Sequence, residues 1–439
     1  MSYVGFVGFA MMIVTILLLL WKKMIPAVVF IVVPIVAALA IGSTPAEISG
    51  YIGKGLNSVV PVATMFIFAV LFFGIMSDAG VFRKIVGKLT KTAGSNVLIV
   101  MIVTVVVTII GHLDGSGATT YLIAIPPLLA IYQKLKIRPV VLMGIVSLTM
   151  GVMNSVPWGG PVGRLAAILE VPLNDIWKYC IPAQLFGLAL CAILAVYLGR
   201  KEMKLNAVTG ELTADQMGTQ NSEDILTAEE KALLRPNRFW LNILLILAVV
   251  LTMMLTKVQP YAVFMVGLCI SLAINYPSVQ EQTKRIEAHA STAFSMAFIL
   301  LASAVFLGIM TNSPMMDATT KSFLAVLPKS LAPHMHIVFA FITNPLSMIF
   351  NPYASMYGVV PVISNIVSAF GIPAAAVGAA YQIALAPLIF ILPITPAMYL
   401  GLGLAGVELR DHIKFTYKWS LLISTASLLF VILIGVMPI

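Results

Sequence analysis

The chain has 439 residues, of which 60% are hydrophobic and only 10% charged. A soluble protein of this length needs a polar shell that so few charged side chains cannot build. The formal charge of +9 lies in short basic clusters between apolar runs, the pattern of membrane-flanking loops rather than of a nucleic-acid-binding face. The three cysteines (Cys180, Cys191 and Cys269) all fall in apolar runs with neither paired nor metal-ligand spacing, so they are read as packing residues.

Apolar runs of about 20 residues, the length that crosses a hydrocarbon core of about 30 Å as a helix, recur along the chain. They lack the period-two alternation of barrel strands, which leaves an all-α polytopic membrane protein. The first run, Val4 to Trp21, has no basic residue before it and Lys22-Lys23 after it. A cleaved signal peptide has the opposite charge order, so this is a true span. Spans follow at Met24–Gly42 and Val59–Ser77, then a basic amphipathic stretch, Val81–Lys91. Asn96–Gly111 leads into the turn-rich Gly111–Gly117, and Ala118–Tyr132, too short to span, folds back from it, giving a re-entrant hairpin near 96–132. Residues 139–170 form a helix broken at Pro157-Trp158-Gly159-Gly160-Pro161, and Trp177–Leu198 closes the half.

The second half repeats this order. Phe239–Leu255, Pro260–Asn275 and Ala293–Met310 are spans, a hairpin near 334–368 turns at Asn351-Pro352-Tyr353, and residues 373–404 break at Pro393-Ile394-Thr395-Pro396 before the last span, Ile413–Val436. Residue identities share the register. A shift of 234 places Lys23, Pro26, Val29 and Phe30 on Lys257, Pro260, Val263 and Phe264, and Phe72, Gly74, Ile75 and Met76 on Phe306, Gly308, Ile309 and Met310. A shift of 236 places Pro157 on Pro393, and Asp175 and Lys178 on Asp411 and Lys414. The organisation is therefore a first repeat (1–199), a polar linker (200–237) and a second repeat (238–439). Each repeat holds five spans and one hairpin, and an odd number of crossings inverts the second. With the N-terminus outside, most basic residues fall in inner loops and the linker, which makes the linker cytoplasmic and the protein a multi-pass component of the cell membrane.

Inverted repeats with discontinuous helices put a substrate site near the bilayer midplane, at the interruptions. At the first tip, Gly115 and Gly117 permit the reversal, and Ser116, Thr119 and Thr120 can cap the returning helix or offer hydroxyls to a ligand. Asp114 is the one carboxylate placed deep in the membrane, fit to bind a cation, carry a proton or cap the hairpin. His112 reads as a relay or a hydrogen-bonded structural histidine, whereas Asp78 and Asp317 sit near span ends, where solvation is the default. At the first break, Asn154 supplies an amide, Gly159 and Gly160 allow close backbone approach, and Pro157 and Pro161 interrupt and restart the helix. A helix N-terminus there favours an anion, and Arg164, one turn on, suits a carboxylate or a pair with Glu170. The second half offers Asn351 and Ser355 at its tip and Thr395 between Pro393 and Pro396, without charge.

Leu113-Asp114-Gly115-Ser116-Gly117-Ala118-Thr119-Thr120-Tyr121, Gly151-Val152-Met153-Asn154, Pro157–Pro161 with Arg164, and Leu404–Leu409 with Asp411, His412, Lys414 and Phe415 resemble the citrate–metal:proton symporter family (CitMHS). The resemblance covers nearly the whole chain. It implies an ion-transporter-superfamily fold with a scaffold and an elevator-type transport domain, a homodimer, and proton-coupled uptake of citrate complexed with magnesium or calcium. No permanently bound cofactor is implied. The chain departs from the family at Ser116 and at Pro352-Tyr353, where an acid is often found. Competing readings are a sodium- or proton-coupled carrier of another di- or tricarboxylate and a cation/proton antiporter, although the latter calls for more than one deep acid. An enzyme is disfavoured, since no catalytic constellation occurs.

Overall fold

The computed structural model describes residues 2–21, 24–92, 96–206, 228–256, 258–325, 330–349, 352–392 and 395–439. Among them the chain is helical, with no strand. The first half contains α1 (Tyr3–Trp21), α2 (Pro26–Ala40), α3 (Pro45–Asp78), α4 (Val81–Thr92), α5 (Val97–Gly111), α6 (Gly117–Lys134), α7 (Pro139–Met153), α8 (Gly160–Ile168) and α9 (Leu173–Asn206). A short α10 (Ala228–Leu233) precedes the second set. These are α11 (Phe239–Leu255), α12 (Pro260–Asn275), α13 (Val279–Asn312), α14 (Met315–Leu324), α15 (Met335–Ile349), α16 (Pro352–Gly358), α17 (Val360–Ser368), α18 (Ala374–Leu385), α19 (Pro396–Ala405) and α20 (Leu409–Leu433). Among the described residues five helices are long and apolar enough to cross a membrane by themselves, and shorter apolar ones, including α2, α5, α7 and α12, pack among them.

Three helices, α3, α9 and α13, run well beyond the apolar runs. The expected span at Val59–Ser77 is the end of α3, whose 34 residues begin with a Pro45 start and a reciprocal Thr44–Glu47 capping box. Glu47 Oε2 accepts from Thr44 N at 2.8 Å, and Thr44 Oγ1 accepts from Glu47 N at 3.3 Å. At 1.5 Å per residue such a helix is about 51 Å long, so α3 and the equally long α13 must tilt or project beyond the hydrocarbon. Their polar front turns carry no span signal, which is why hydropathy locates only the apolar ends. The amphipathic α14 likewise lies where no element was expected.

The helices form two packing groups. In one, α3 and α13 pack along their lengths, with α2 and α12 beside them and α1 and α11 outside. The other gathers α5 to α9 with α15 to α20, and α4 and α14 bridge the two. The close approach of α3 and α13 rests on glycine. A Cβ on Gly308 would land on the Tyr51 carbonyl oxygen, and one on Gly55 would lie 2.8 Å from the Gly308 backbone. A second close contact has Gly74 under the His289 ring. These contacts map onto each other under the shift of 234, since 55 + 234 = 289 and 74 + 234 = 308. The aromatic contacts do the same: Phe72–Phe264 centroids lie 5.9 Å apart and Phe306–Phe30 centroids 6.2 Å.

Replacing Gly308 by valine should therefore destabilise the protein by about 1–3 kcal/mol or more, because the added atoms meet backbone that cannot rotate away. Gly403→Ala, at a helical position with no atom within 4 Å of a new Cβ, should be neutral or slightly stabilising. Thermal unfolding of the two detergent-solubilised variants compares them, and equal melting points would contradict the packing described.

Candidate functional site

The first interruption is the tip between α5 and α6. Gly115 takes φ +69°, the left-handed region that glycine enters freely, and the chain reverses there. The half-buried Asp114 turns inward on the reversal, its Oδ1 accepting from Ser116 N at 2.8 Å. Ser116 caps α6, its Oγ accepting from Thr119 N at 3.3 Å and from Thr119 Oγ1 at 3.0 Å. Thr120 Oγ1 lies 2.7 Å from Ser116 O and 2.8 Å from His112 Nδ1. Its single proton goes to the carbonyl if Nδ1–H donates to it, which makes Nε2 the bare nitrogen of His112. That nitrogen, on a fully buried ring, has no partner within hydrogen-bond distance among the described residues. The tip hydroxyls are thus spent inside the hairpin, and the polar group left over is the histidine.

The second interruption separates α7 from α8. α7 ends at Met153, the chain turns through Asn154 to Gly159, and α8 restarts at Gly160 with Pro161 in its first turn. Unwound backbone at membrane depth must be satisfied by protein, and two neighbours do so here. Gln382 of α18 donates Nε2 to Asn154 O at 3.3 Å and lies 3.4 Å from Ser155 Oγ. Trp158 donates Nε1 to Leu113 O at 2.7 Å, tying the break to the first tip. A Cβ on Gly115 would lie 3.8 Å from Gly159 Cα, so the two glycine turns meet backbone to backbone. Arg164, 7% exposed, reaches back along α8, and its Nη1 would be 3.6 Å from a Cβ on Gly160. Trp158 also packs on Phe73 and Phe264 of the other helix group, with centroids 5.8 and 6.2 Å apart.

The second half supplies a wall rather than charge. α18 already ends at Leu385, ahead of Pro393, and a short 3-10 turn, Ala386–Leu388, crosses α7 where Gly151 lets the Pro387 backbone in. Phe390 sets its edge against His112, centroids 5.4 Å apart, and covers Gly117. Thr395 hydrogen-bonds to Ile389 O, and Pro396 opens α19, which packs on α6. Pro393 and Asn351 lie outside the described residues. Ser355 is buried on α16 at the other tip, where Tyr381 donates to Pro352 O at 2.7 Å. The structure therefore brings together Asp114 to Thr120, Asn154 to Arg164, Phe390 and Ala397, and keeps Ser355 at a separate tip.

A cleft of about 910 Å³ opens between the two helix groups, lined by Asn57, Glu170, Asn174, Lys178, Gln259 and Tyr261 among others. Its wall on α8 is Ala166, and neither tip residues nor Arg164 line it. On the other side of the site, Asp78, assigned to solvent from its place at a span end, is half-buried. It pairs with His289 Nε2 at 2.9 Å and Arg285 Nη1 at 3.3 Å. Asp175 and Lys178 do form an exposed pair at 3.0 Å in the first turn of α9. Sequence reasoning missed Gln382, Phe390 and His289. An amide alone in an apolar helix was the available signal for Gln382. The i, i+4 spacing of Arg285 and His289 marked one helix face.

The citrate transporter family model matches residues 9–395. The chain is 34% identical over 429 residues to a citrate transporter of Bacillus subtilis, covering 98% of both proteins. It is 32% identical to the Mg(2+)/citrate complex secondary transporter of the same organism, again over 98% of each. Among solved structures it resembles the Alcanivorax borkumensis YdaH transporter, with a TM-score of 0.62 at 15% identity over 88% of this chain and 87% of the other. The Neisseria gonorrhoeae MtrF efflux pump gives 0.60 at 14% identity, over 87% and 83%. Those likenesses establish the transporter fold. With its apolar helices and broken spans, the chain belongs to the citrate transporter family (CitMHS), and is a multi-pass membrane transport protein rather than an enzyme.

Proposed function

We propose that the chain is a secondary active transporter that takes up citrate as its complex with a divalent cation, coupled to protons. The observation that carries the reading is the junction of the first tip with the first break. Two helix N-termini, those of α6 and α8, start beside it, and Arg164 is the buried cation of the restarted helix. Helix N-termini and a planar guanidinium are the groups that hold a carboxylate-rich anion away from water. Magnesium or calcium cuts the charge of citrate from three to one, which lowers the desolvation cost of entering such a site. The names of the relatives, one of which is a carrier of the Mg(2+)/citrate complex, support the same substrate.

The mechanism we assign is alternating access of the elevator type. The group holding both tips and both breaks slides against the group built on α3 and α13, with Trp158, Phe73 and Phe264 at the contact. In this reading the halves are inverted repeats related by a pseudo-twofold axis, supported by the contact pairs that map under the shift of 234. The linker is cytoplasmic, the 910 Å³ cleft opens outward, and the protein works as a homodimer in the cell membrane. Asp114 serves as the coupling carboxyl.

Radiolabelled citrate uptake into proteoliposomes under an inward proton gradient should require magnesium or calcium and stop with EDTA. Uptake indifferent to the metal, or driven by sodium instead, would move the chain to another carboxylate carrier. Arg164→Lys keeps the charge but loses the fork, so it should raise the citrate KM about tenfold or more with the melting point unchanged. An unaltered KM would remove Arg164 from the site.

A further inference from the structure

The first tip spends its hydroxyls on its own turn, and one buried atom is left over. Among the described residues from Gly111 to Thr120, His112 Nε2 is the only fully buried side-chain nitrogen or oxygen without a hydrogen-bond partner. The rest of the ring is committed. Nδ1 lies 2.8 Å from Thr120 Oγ1. The Thr120 hydroxyl has a single proton, and Ser116 O, at 2.7 Å, is a nearer acceptor for it than Gly111 O at 3.2 Å. With that proton on the carbonyl, Oγ1 accepts from Nδ1–H, and Nε2 keeps a bare lone pair. Phe390 closes the flank of the ring, with centroids 5.4 Å apart and planes at 87°, and His412 Nε2 of α20 lies 3.3 Å from the Phe390 carbonyl oxygen. The carbonyl of the next residue, Leu113, takes the Trp158 indole hydrogen, so the imidazole stands where the tip meets the break.

A buried acceptor without a donor is costly to keep, and it calls for a donor that arrives with the substrate. At an anion site this narrows the choice. Carboxylates bring acceptors only, and a bare nitrogen repels them. Once the three carboxyl groups of citrate are ionised, only the hydroxyl on its central carbon still carries a proton. A hydroxyl that also touches the divalent ion donates that proton more strongly.

We propose that His112 Nε2 accepts a hydrogen bond from the tertiary hydroxyl of the substrate, which makes this histidine a specificity-determining residue for hydroxylated tricarboxylates. The inference rests on the citrate reading above and deepens it. The carboxylates are left to the N-termini of α6 and α8 and to Arg164, and the hydroxyl is read by the ring. Thr120 and Phe390 hold the imidazole in place before the substrate arrives. An analogue without the hydroxyl leaves Nε2 buried and unpaired. Sites built around a hydrogen bond to a hydroxyl reject such analogues far more strongly than apolar pockets sort ligands by size.

The test compares uptake of citrate and of tricarballylate, the same tricarboxylate without the hydroxyl, at one saturating magnesium concentration. Proteoliposomes hold the unmodified full chain, His112→Asn or His112→Gln. The magnesium chemistry in solution is common to all of them, so a change in the ratio of kcat/KM values reads the protein alone. The unmodified chain should favour citrate about a hundredfold or more. Asparagine reaches the Nδ1 position and keeps the Thr120 bond but has nothing at Nε2. It should lower the ratio about tenfold or more through loss of citrate uptake, with tricarballylate uptake unchanged. Glutamine sets its carbonyl oxygen near Nε2 and should retain most of the preference. An unchanged ratio in His112→Asn would overturn the proposal. If both rates fall together, the histidine is structural or donates to a carboxylate, which both substrates have. A further arm needs no variant: the analogue with fluorine in place of the hydroxyl keeps the shape without the proton. The unmodified chain should reject it as it rejects tricarballylate, and uptake of either analogue as fast as citrate would overturn the role outright. An unmodified chain that carries none of the three contradicts the citrate reading itself, and this inference falls with it.

Discussion

A helix that stops inside a membrane leaves N–H and C=O groups that no lipid can satisfy, and the site of this protein is organised around meeting that constraint. The break after Met153 exposes the backbone of Asn154 to Gly159. It is held by the Gln382 amide from one side and joined to the first tip by the Trp158 indole from the other. Remove those two and the turn has no reason to stay open. The glycines follow from the same constraint. Gly115 and Gly159 let two turns touch, and Gly151 admits the Ala386–Pro387 backbone, so three pieces of irregular chain shelter one another.

That shelter also explains the uneven chemistry of the halves. Charge is concentrated on the first tip and the first break, in Asp114 and Arg164, whereas the second half contributes Phe390, Gln382 and backbone. A buried ion costs several kcal/mol to desolvate, so duplicating the charged set in the second half would double that cost without adding a second substrate site. Under the shift of 236, Arg164 falls on the apolar Leu400. The same economy holds between the long helices, where the shift of 234 sets only Asn312, Gly55 and Tyr51 against the Asp78–His289–Arg285 trio.

Much of the architecture was legible because lipid imposes a one-dimensional code. Apolar length, Gly-Pro interruptions and a register of 234 to 236 were the signals; the turn at Gly115 and the break from Asn154 to Gly159 fall among the residues they marked, whereas α18 ends at Leu385, well before Pro393. The register stops being informative where polarity replaces hydropathy. The front half of α3 is held by its Thr44–Glu47 cap and by the Gly55 contact, and that of α13 by the His289 ring over Gly74, which a search for apolar runs passes over. Within the site, Ser116 and Thr120 were recognisable as tip residues, but their hydroxyls turn out to bond within the hairpin, and only three-dimensional contact could reveal that. Gln382 lies far along the chain from the break it holds at Asn154, so no local pattern connects the two. Asp78 looked like a solvated end residue for the same reason, because its two partners are more than 200 positions away.

The central claim is that the anion sits where the first tip meets the first break. A cryo-EM structure of the protein in lipid nanodiscs with magnesium citrate tests it directly. The account predicts ligand density bounded by Ser116, Asn154, Gly159 and the Arg164 guanidinium. Density confined to the open cleft beside Glu170, Lys178 and Gln259, with the tip and break empty, would contradict it.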